Sequence, residues 1–227
     1  MILVTGDTHG KVDFNKIKTI NEKGILSKDD YLIIAGDFAA IFDPNTLNQD
    51  LAIYNELPFT VLFVDGNHEN FTLLNSYPVS MWNGGKVHII KDNIIHLMRG
   101  QVYSIEGKTI FTFGGAVSVD QYRRIENVSW WKEEMPSDEE FNEAKENLLK
   151  YNNQVDYIIT HTCDAITIRN YLIYFRGKVS EIFMDNEMLD YFETNVKYKH
   201  WYFGHYHFDG KITDNKTEVY NSFYELR

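Results

Sequence analysis

Short apolar runs that end at polar residues recur through the first third of the chain. Three of them, Ile2–Thr5, Tyr31–Ala35 and Phe59–Asp65, are each followed by a glycine and then by an acidic or amide side chain. Between these runs, Val12–Lys23 and Leu47–Leu57 carry apolar residues at helical spacing. The order strand, helix, strand, helix, strand predicts a βαβαβ unit with parallel strands.

A different pattern follows a predicted short helix at Phe71–Leu74. Short apolar segments alternate there with turns that contain glycine or polar residues, which predicts an antiparallel meander. The predicted strands of the meander are Val87–Ile90, Ile94–Met98, Gln101–Ile105 and Thr109–Phe113.

The remainder of the chain combines an irregular stretch with further elements. Residues 114–136 follow no regular pattern, and Ser137–Tyr151 predicts an acidic helix that begins with a capping box. Strands are predicted at Val155–Thr160 and His200–Phe203, with two helical stretches between them. No repeat or linker is visible, so one domain over residues 1–227 is expected.

The chain is predicted to close with a β-hairpin. Its strands are Lys211–Thr213 and Glu218–Tyr220, and its turn is expected at Asp214–Lys216. Asparagine and aspartate favour such turns because their side chains bond to nearby backbone groups.

Composition narrows the class of protein. The chain has 227 residues, of which 44% are hydrophobic, so it can bury the core of an ordinary globular domain. The net charge of −11 opposes non-specific binding to a nucleic-acid backbone, which attracts basic surfaces. The lone Cys163 excludes an intramolecular disulfide. No signal-peptide pattern or apolar run of about 20 residues is visible, which predicts a soluble, cytoplasmic protein without a membrane span.

The candidate chemistry lies where the predicted strands end. Five of the eight histidines occur there together with two aspartates and an asparagine; the residues are Asp7, His9, Asp37, Asn67, His68, His161, His205 and His207. Loops that follow the carboxyl ends of strands in α/β sheets gather in one crevice, so these side chains can converge. A single Gly-Asp or strand-end histidine is more often a turn or a surface residue. Their joint occurrence predicts a metal site.

The ligand types narrow the identity of the metal. Imidazoles, carboxylates and an amide oxygen, without thiolates, suit Mn, Fe, Co, Ni or Zn. Seven candidate ligands are enough for two ions, which a bridging carboxylate can hold roughly 3.5–4 Å apart. The pairs Asp7 with His9 and His205 with His207 predict extended segments, because residues i and i+2 of a strand face the same side.

Five motifs together resemble those of the calcineurin-like metallophosphoesterases. In chain order they are Asp7-x-His9, Gly36-Asp37, Gly66-Asn67-His68-Glu69, His161 and Gly204-His205-x-His207. The resemblance implies an α/β fold, a four-layer α-β-β-α sandwich in which two mixed β-sheets pack face to face. It also implies hydrolysis of phosphate mono- or diesters by attack of a metal-activated hydroxide.

The resemblance further implies roles for individual residues. The residues implied at the first metal are Asp7, His9, Asp37 and His207. Those implied at the second metal are Asn67, His161 and His205, with Asp37 bridging the two ions. His68 is implied to be the general acid and phosphate contact rather than a ligand. The implied cofactors are two divalent ions, Mn before Fe, Zn, Ni or Co, and the implied partner is a small phosphoester or nucleotide-like substrate.

One departure from the family pattern bears on the substrate. Protein serine/threonine phosphatases of this superfamily carry Gly-Asp-x-x-Asp-Arg-Gly, whereas the stretch here is Gly36-Asp37-Phe38-Ala39-Ala40-Ile41-Phe42. The aspartate that orients the catalytic histidine and the arginine that contacts phosphate are both missing, which counts against a protein phosphatase. Asp43 or another carboxylate is left to orient His68.

Two further alternatives stay open at the level of the sequence. A nuclease is opposed by the acidic charge of the chain. A non-catalytic scaffold of the same fold is opposed by the complete set of candidate ligands, because such relatives typically have lost ligand positions.

The irregular stretch 114–136 is expected to be a loop on the substrate side. It carries Arg123 and Arg124 next to Tyr122, followed by the pair Trp130 and Trp131, and it resembles a stretch of small bacterial and phage-type members. These side chains could grip a phosphate and an aromatic or sugar leaving group. Alternatively, the tryptophans pack on the core and the arginines pair with nearby acids.

Overall fold

The structure, a computed structural model, describes residues 1–172 and 182–227, and the strands within these ranges form two mixed β-sheets. One sheet has seven strands in the spatial order β13 (Tyr224–Glu225), β1 (Ile2–Thr5), β2 (Tyr31–Ala35), β3 (Thr60–Val64), β6 (Ile94–Leu97), β5 (Gly85–Lys91) and β4 (Val79–Trp82). The other has six in the order β11 (Gly210–Thr213), β12 (Lys216–Glu218), β10 (His200–Phe203), β9 (Tyr157–Thr160), β8 (Lys108–Phe113) and β7 (Gln101–Ile105).

Helices flank both sheets. Those beside the seven-stranded sheet are α1 (Asn15–Glu22), α2 (Leu47–Asn55) and α3 (Phe71–Leu74). Those beside the six-stranded sheet are α4 (Asp138–Leu149), α5 (Ala165–Thr167), which continues as a π-helical turn over Ile168–Leu172, and α6 (Met184–Asn195). Within the described ranges, no helix is both long enough and apolar enough to cross a membrane.

The alternation of side chains along the strands explains the layers. In β1, Ile2 and Val4 pack in a cluster between the two sheets, whereas Leu3 packs on the opposite face with Ile17 of α1. Neighbouring residues of a strand point to opposite faces, so strands buried on both faces consist almost wholly of apolar residues. Two face-to-face sheets with helices outside them confirm the predicted α/β fold class.

Parallel pairing places several strand ends at one edge of the molecule. Strands β1, β2 and β3 pair in parallel in one sheet, and β8, β9 and β10 do so in the other. The predicted βαβαβ unit is therefore confirmed, and the carboxyl ends of its strands meet as expected for parallel neighbours.

The predicted continuous meander is wrong in one respect. Strands β5 and β6 pair antiparallel, and so do β7 and β8, but β6 and β7 belong to different sheets. The chain changes sheets after Met98, and β6 pairs in parallel with β3. Apolar periodicity predicts strands but not their partners, which explains the error. Strand β4 escaped prediction because it is a half-exposed edge strand.

The turn of the closing hairpin is shorter than predicted. Its turn consists of Asp214 and Asn215, and Lys216 begins β12, which ends at Glu218. Lys216 is only 2% exposed because its ammonium group contacts Asp164 at 2.5 Å and Glu193 at 2.8 Å. A lysine with two carboxylate partners is buried at a position where the sequence alone suggests a polar turn.

Other local predictions are confirmed. Ser137 accepts a hydrogen bond from the backbone N–H of Glu140, and the Glu140 side chain accepts one from the N–H of Ser137, which forms the expected capping box. Residues 114–136 are irregular apart from two 3₁₀ turns, Gln121–Arg123 and Lys132–Glu134. Part of the region expected to hold two helical stretches, residues 173–181, lies outside the described residues.

Candidate metal centre

Four candidate ligands gather at the shared edge of the sheets. Each offers one donor atom, and these atoms all lie within 4.8 Å of one another; the residues are Asp7, His9, Asp37 and His207. Asp7 follows β1 and Asp37 follows β2, and both carboxylates are buried. His207 reaches the same place from the loop after β10. The sequence-predicted first group of ligands is thus close together in space.

A second group surrounds the imidazole of His161. Its Nε2 lies 3.1 Å from Oδ1 of Asn67, 3.3 Å from Oδ1 of Asp37 and 3.3 Å from Nδ1 of His205. These side chains come from the loops after β3, β9, β2 and β10. Every sequence-predicted ligand therefore lies in one of two adjacent groups.

Asp37 takes part in both groups. Its Oδ2 is 3.5 Å from Nε2 of His9, and its Oδ1 is 3.3 Å from Nε2 of His161. Oδ1 also accepts a hydrogen bond of 2.8 Å from the backbone N–H of His68. One carboxylate thus presents an oxygen to each group, which is the arrangement that a bridging ligand requires.

The backbone at four of these residues adopts left-handed geometry. The φ angles are +44° at His9, +49° at Asp37, +72° at His205 and +54° at His207. The predicted extended conformation of the two i, i+2 pairs is therefore wrong. The side chains converge through tight turns instead, and non-glycine residues in this region cost on the order of 1–3 kcal/mol each.

Glycines allow the loops to approach this closely. Gly36 has a φ of +88°, and a Cβ atom there would lie 2.0 Å from Nδ1 of His161. At Gly204, a Cβ atom would lie 2.2 Å from Oδ1 of Asp7. Both glycines directly precede candidate ligands, so the motif spacing reflects steric need as well as chemistry.

Hydrogen bonds orient two of the imidazoles toward the centre. Nδ1–H of His161 donates to the carbonyl of Ala35 at 3.0 Å, and Nδ1–H of His9 donates to Oδ2 of Asp13 at 2.7 Å. Both rings then present Nε2 to the ligand groups, as metal-binding histidines with a second hydrogen-bond partner do. Sequence reasoning missed Asp13, although its place four residues after His9 was a usable signal.

Glu69, the last residue of the Gly66–Glu69 motif, has a structural role. Its buried carboxyl group accepts hydrogen bonds from the N–H of Phe38 at 2.8 Å and from that of Ala39 at 3.1 Å. Burial, followed by the nearby charge of Asp37, raises the pKa of Glu69 well above its ordinary value. Glu69 thereby holds the strained turn that contains Asp37, a role that sequence reasoning missed.

The donor set fits divalent cations. Oδ2 of Asp7 is buried and accepts no hydrogen bond from the described residues, although Nε2 of His207 lies 3.0 Å away. Two donor atoms that lie close without hydrogen-bond alignment can share a cation. A buried carboxylate oxygen without a partner is costly, and an ion would remove that cost.

Comparison with known proteins agrees with this geometry. The sequence profile described as calcineurin-like phosphoesterase matches residues 1–209. The chain belongs to the calcineurin-like phosphoesterase family. Membership implies metal-dependent hydrolysis of phosphoesters, and it confirms the family resemblance predicted from the five motifs.

The phosphoesterase is also similar to a lariat debranching enzyme of Schizosaccharomyces pombe (strain 972 / ATCC 24843). The two are 23% identical over 263 aligned residues, which cover 99% of this chain and 54% of the relative. This chain therefore spans about half the length of that curated relative.

Electrostatics of the phosphoesterase site favour cations or protons among the carboxylates. Burial alone would lower the pKa of His161, but the carboxylate of Asp37 outweighs burial and raises it to about 10. At His9, burial is likewise outweighed by the carboxylates of Asp37 and Asp13, which raise the pKa to about 9. Burial and the positive charge of His161 instead lower the pKa of His205 to about 4.

These shifts predict how the metal-free protein responds to pH. The raised pKa values of His9 and His161 add stability that is fully present below the unfolded value of 6.5 and is lost as pH rises through about 9 and 10. With chelator present, the free energy of unfolding should fall by on the order of a few kcal/mol between pH 7 and 10. Urea titrations at several pH values would measure it.

The matched control is the same titration with saturating divalent metal. Cations replace the protons on the imidazoles, so the metal-loaded protein should show little of this loss, and metal binding at pH 7 should release protons. Equal pH dependence with and without metal would contradict the assignment of His9 and His161 to the centre.

His68 lies beside the centre with an arginine as its neighbour. Its Nε2 is 4.0 Å from Oδ2 of Asp37, and Nη1 of Arg124 is 3.4 Å from its Nδ1. Arginine only donates, so Nδ1 is the acceptor and Nε2 carries the proton that faces the site. Asp43, the carboxylate suggested from sequence, accepts hydrogen bonds from Asn45 instead.

The environment of His68 also sets its charge. Burial lowers its pKa; the charge of Asp37 opposes this shift, and the guanidinium of Arg124 adds to it. A phosphate bound between His68 and Arg124 would raise the pKa of His68 again, because a negative charge favours the protonated imidazole.

The loop at 114–136 combines features of both sequence interpretations. Trp131 is 1% exposed, and its indole N–H donates to Thr72 at 2.9 Å, so this tryptophan packs in the core.

Arg124 pairs with Asp120 at 2.8 Å and also faces His68. Arg123 lies 5.0 Å over the ring of Tyr122, which is 78% exposed. Of the two arginines, Arg124 is the one beside the candidate centre.

A cavity of about 320 Å³ opens over the centre of the phosphoesterase. Its wall combines candidate ligands with the loop; the residues include Asp37, Asn67, His68, Asp120, Arg124 and His207. The volume is within the range of sites for small ligands.

Proposed function

We propose that this phosphoesterase hydrolyses phosphate mono- or diesters, with a small phosphoester or a nucleotide-like compound as substrate, at a dinuclear metal centre. The observation that carries the proposal is the position of Asp37, whose two oxygens face two separate groups of ligands. A carboxylate shared in this way suits two ions a few ångströms apart.

We assign each group of donors to one ion. The first ion would be held by Asp7, His9, Asp37 and His207, and the second by Asp37, Asn67, His161 and His205. Nitrogen and oxygen donors without thiolates favour Mn, with Fe, Zn, Ni or Co as alternatives. When bound, such a pair supplies a hydroxide nucleophile near neutral pH and positive charge opposite the phosphoryl oxygens.

The protein side chains would complete the chemistry. His68, protonated when phosphate is bound, would donate its Nε2 proton to the departing alcohol oxygen, which contributes roughly 10²–10⁴-fold. Arg124 would contact a phosphoryl oxygen, since guanidinium groups bind phosphate through charged hydrogen bonds. Their contact at 3.4 Å allows both to reach one phosphate.

The loop at 114–136 is proposed to form the substrate side of a single domain that covers residues 1–227. Val119, Asp120 and Arg124 line the cavity over the centre, and the hydroxyl of Ser118 accepts a hydrogen bond of 3.1 Å from the amide of Asn67. The loop therefore contacts a candidate ligand directly and covers the place where the alcohol part of a substrate would lie.

The competing functions have less support. Ala40 and Ile41 occupy the positions of the aspartate and arginine of protein phosphatases, and both are fully buried, so no side chain replaces those groups there. The complete sets of donors count against a non-catalytic scaffold. For a nuclease, the net charge of −11 counts against non-specific nucleic-acid binding.

Metal reconstitution tests the proposal. Protein stripped with chelator should bind two equivalents of Mn by elemental analysis and should then hydrolyse p-nitrophenyl phosphate, bis-(p-nitrophenyl) phosphate or both. Parallel reconstitution with Fe, Zn, Ni and Co would rank the metals. Binding of one equivalent at most, or two equivalents without hydrolysis of either ester, would overturn the proposal.

A further inference from the structure

A second, smaller cavity lies beside the candidate metal centre. Its volume is about 160 Å³, and it shares Val119 and His205 with the cavity over the centre. The shared wall residues make the two cavities direct neighbours, so a substrate whose phosphate lies at the centre would have its alcohol part next to the smaller one.

Asp185 is the wall residue with an unfilled hydrogen-bond acceptor. It lies in the first turn of α6 and is only 2% exposed, and its Oδ1 accepts no hydrogen bond from the described residues. The hydroxyls of Thr162 and Tyr206 contact each other at 2.8 Å, and Asn186 donates to Thr162 at 3.0 Å. The neighbouring polar groups are thus paired with one another.

A buried carboxylate oxygen without a hydrogen bond is costly for the folded protein. Buried polar groups are nearly always hydrogen-bonded, so an exception calls for a partner outside the protein. Burial raises the pKa of Asp185 to about 6, against the opposing effect of hydrogen bonds from backbone N–H groups, among them that of Val117. A donor from a ligand would offset that penalty and would bind tightly for the same reason.

The size and lining of the cavity define the ligand. A cavity of about 150 Å³ accommodates a six-membered ring. The walls combine apolar side chains, among them Val117 and Phe183, with the carboxylate of Asp185. A ring with one apolar face and a hydrogen-bond donor fits such a lining, and sugars and nucleobases both have this chemistry.

We propose that Asp185 is a specificity residue that accepts a hydrogen bond from a hydroxyl or N–H group on a sugar or nucleobase ring in the alcohol part of the substrate. The inference rests on the proposed phosphoesterase function. It makes nucleoside-like esters the preferred class, and it assigns their recognition to the small cavity rather than to the metal centre.

The test compares p-nitrophenyl diesters that differ only in the second alcohol. Thymidine 5′-(p-nitrophenyl phosphate) carries donors, and bis-(p-nitrophenyl) phosphate carries none. In Asp185→Ala, the ratio of kcat/KM for the thymidine ester to that for the bis ester should fall about 10–100-fold. Asp185→Asn, which keeps the shape of the side chain, should show a smaller fall. If wild type cleaves monoesters only, thymidine 5′-monophosphate and phenyl phosphate replace the pair.

Glu187→Gln is the matched control. Glu187 lies on the same helix, is exposed, and pairs with Arg169 at 3.3 Å, so its replacement should leave the ratio unchanged. Metal content and thermal unfolding of each variant establish that a changed ratio reflects recognition. An ester of 1,2-dideoxyribose, which lacks the base, separates the sources: dependence on Asp185 that persists identifies a sugar hydroxyl, and dependence that disappears identifies a base N–H.

The outcomes distinguish this inference from the proposed function. An unchanged ratio in both Asp185 variants, with the bis ester still cleaved by wild type, would overturn the role of Asp185 alone. Absence of hydrolysis of every ester by the metal-loaded wild type would overturn both.

Discussion

The Asp37→Asn variant is expected to bind at most one equivalent of divalent metal and to lose at least about 10³-fold in kcat/KM. Asp37 is the residue whose two oxygens face both ligand groups, and an amide offers one coordinating oxygen in place of two. Metal ions contribute several kcal/mol of transition-state stabilisation, and each 1.36 kcal/mol is tenfold in rate. Elemental analysis and initial rates on both nitrophenyl esters measure the two effects.

Two further variants calibrate this result. Asp214→Asn, at the exposed hairpin turn, should keep both metals and full activity. Asp13→Asn weakens the hydrogen bond that orients His9 and removes no ligand, so metal affinity should fall about 10–100-fold. Two equivalents of metal together with wild-type activity in Asp37→Asn would contradict the bridging assignment.

The location of the centre could be predicted because strand ends are visible in the sequence. Apolar runs before Asp7, Asp37 and Asn67 predict parallel strands of one sheet, which present their carboxyl ends at one edge. The run before His161 forms β9 of the other sheet, whose parallel strands end beside them. Residues from distant parts of the chain are therefore predicted from sequence to meet at this edge. The family resemblance implies two groups of ligands, and the side chains of each group lie close together.

The local conformation of the ligand loops could not be predicted in this way. Alternation suggested extended pairs, yet His9, His205 and His207 have positive φ angles. Such turns are imposed by tertiary contacts, for example the hydrogen bonds from the backbone of Phe38 and Ala39 to Glu69. A conformation stabilised by a residue about thirty positions away leaves no local signal.

Partners of polar side chains were hidden for a related reason. The burial of Lys216 depends on Asp164 and Glu193, and the neighbour of His68 is Arg124 rather than a carboxylate. Each of these partners lies on a different element of the fold. From the sequence alone, a charged residue such as Lys216 is therefore predicted to be exposed to solvent. The change of sheet after β6 has the same origin, since strand pairing is decided by contacts between distant segments.

His68→Ala is expected to retain two equivalents of metal but to lose about 10²–10⁴-fold in kcat. Its Nε2 is 4.0 Å from Asp37, beyond hydrogen-bond distance, and its ring belongs to neither ligand group. The loss should be smaller for esters whose leaving group is a more acidic alcohol or phenol, because its anion departs more readily without a proton. Rates for p-nitrophenyl and phenyl phosphate in wild type and variant measure this dependence.

Arg124 provides the comparison that identifies what His68 does. If His68 donates a proton, His68→Ala should affect phenyl phosphate more than p-nitrophenyl phosphate. Arg124→Ala, which removes a phosphate contact, should slow both esters by similar factors. Arg123→Ala is the matched arginine control with a smaller expected effect, since this side chain lies over Tyr122. Equal losses on both esters in His68→Ala would limit His68 to phosphate binding, and wild-type rates with normal metal content would remove it from the mechanism.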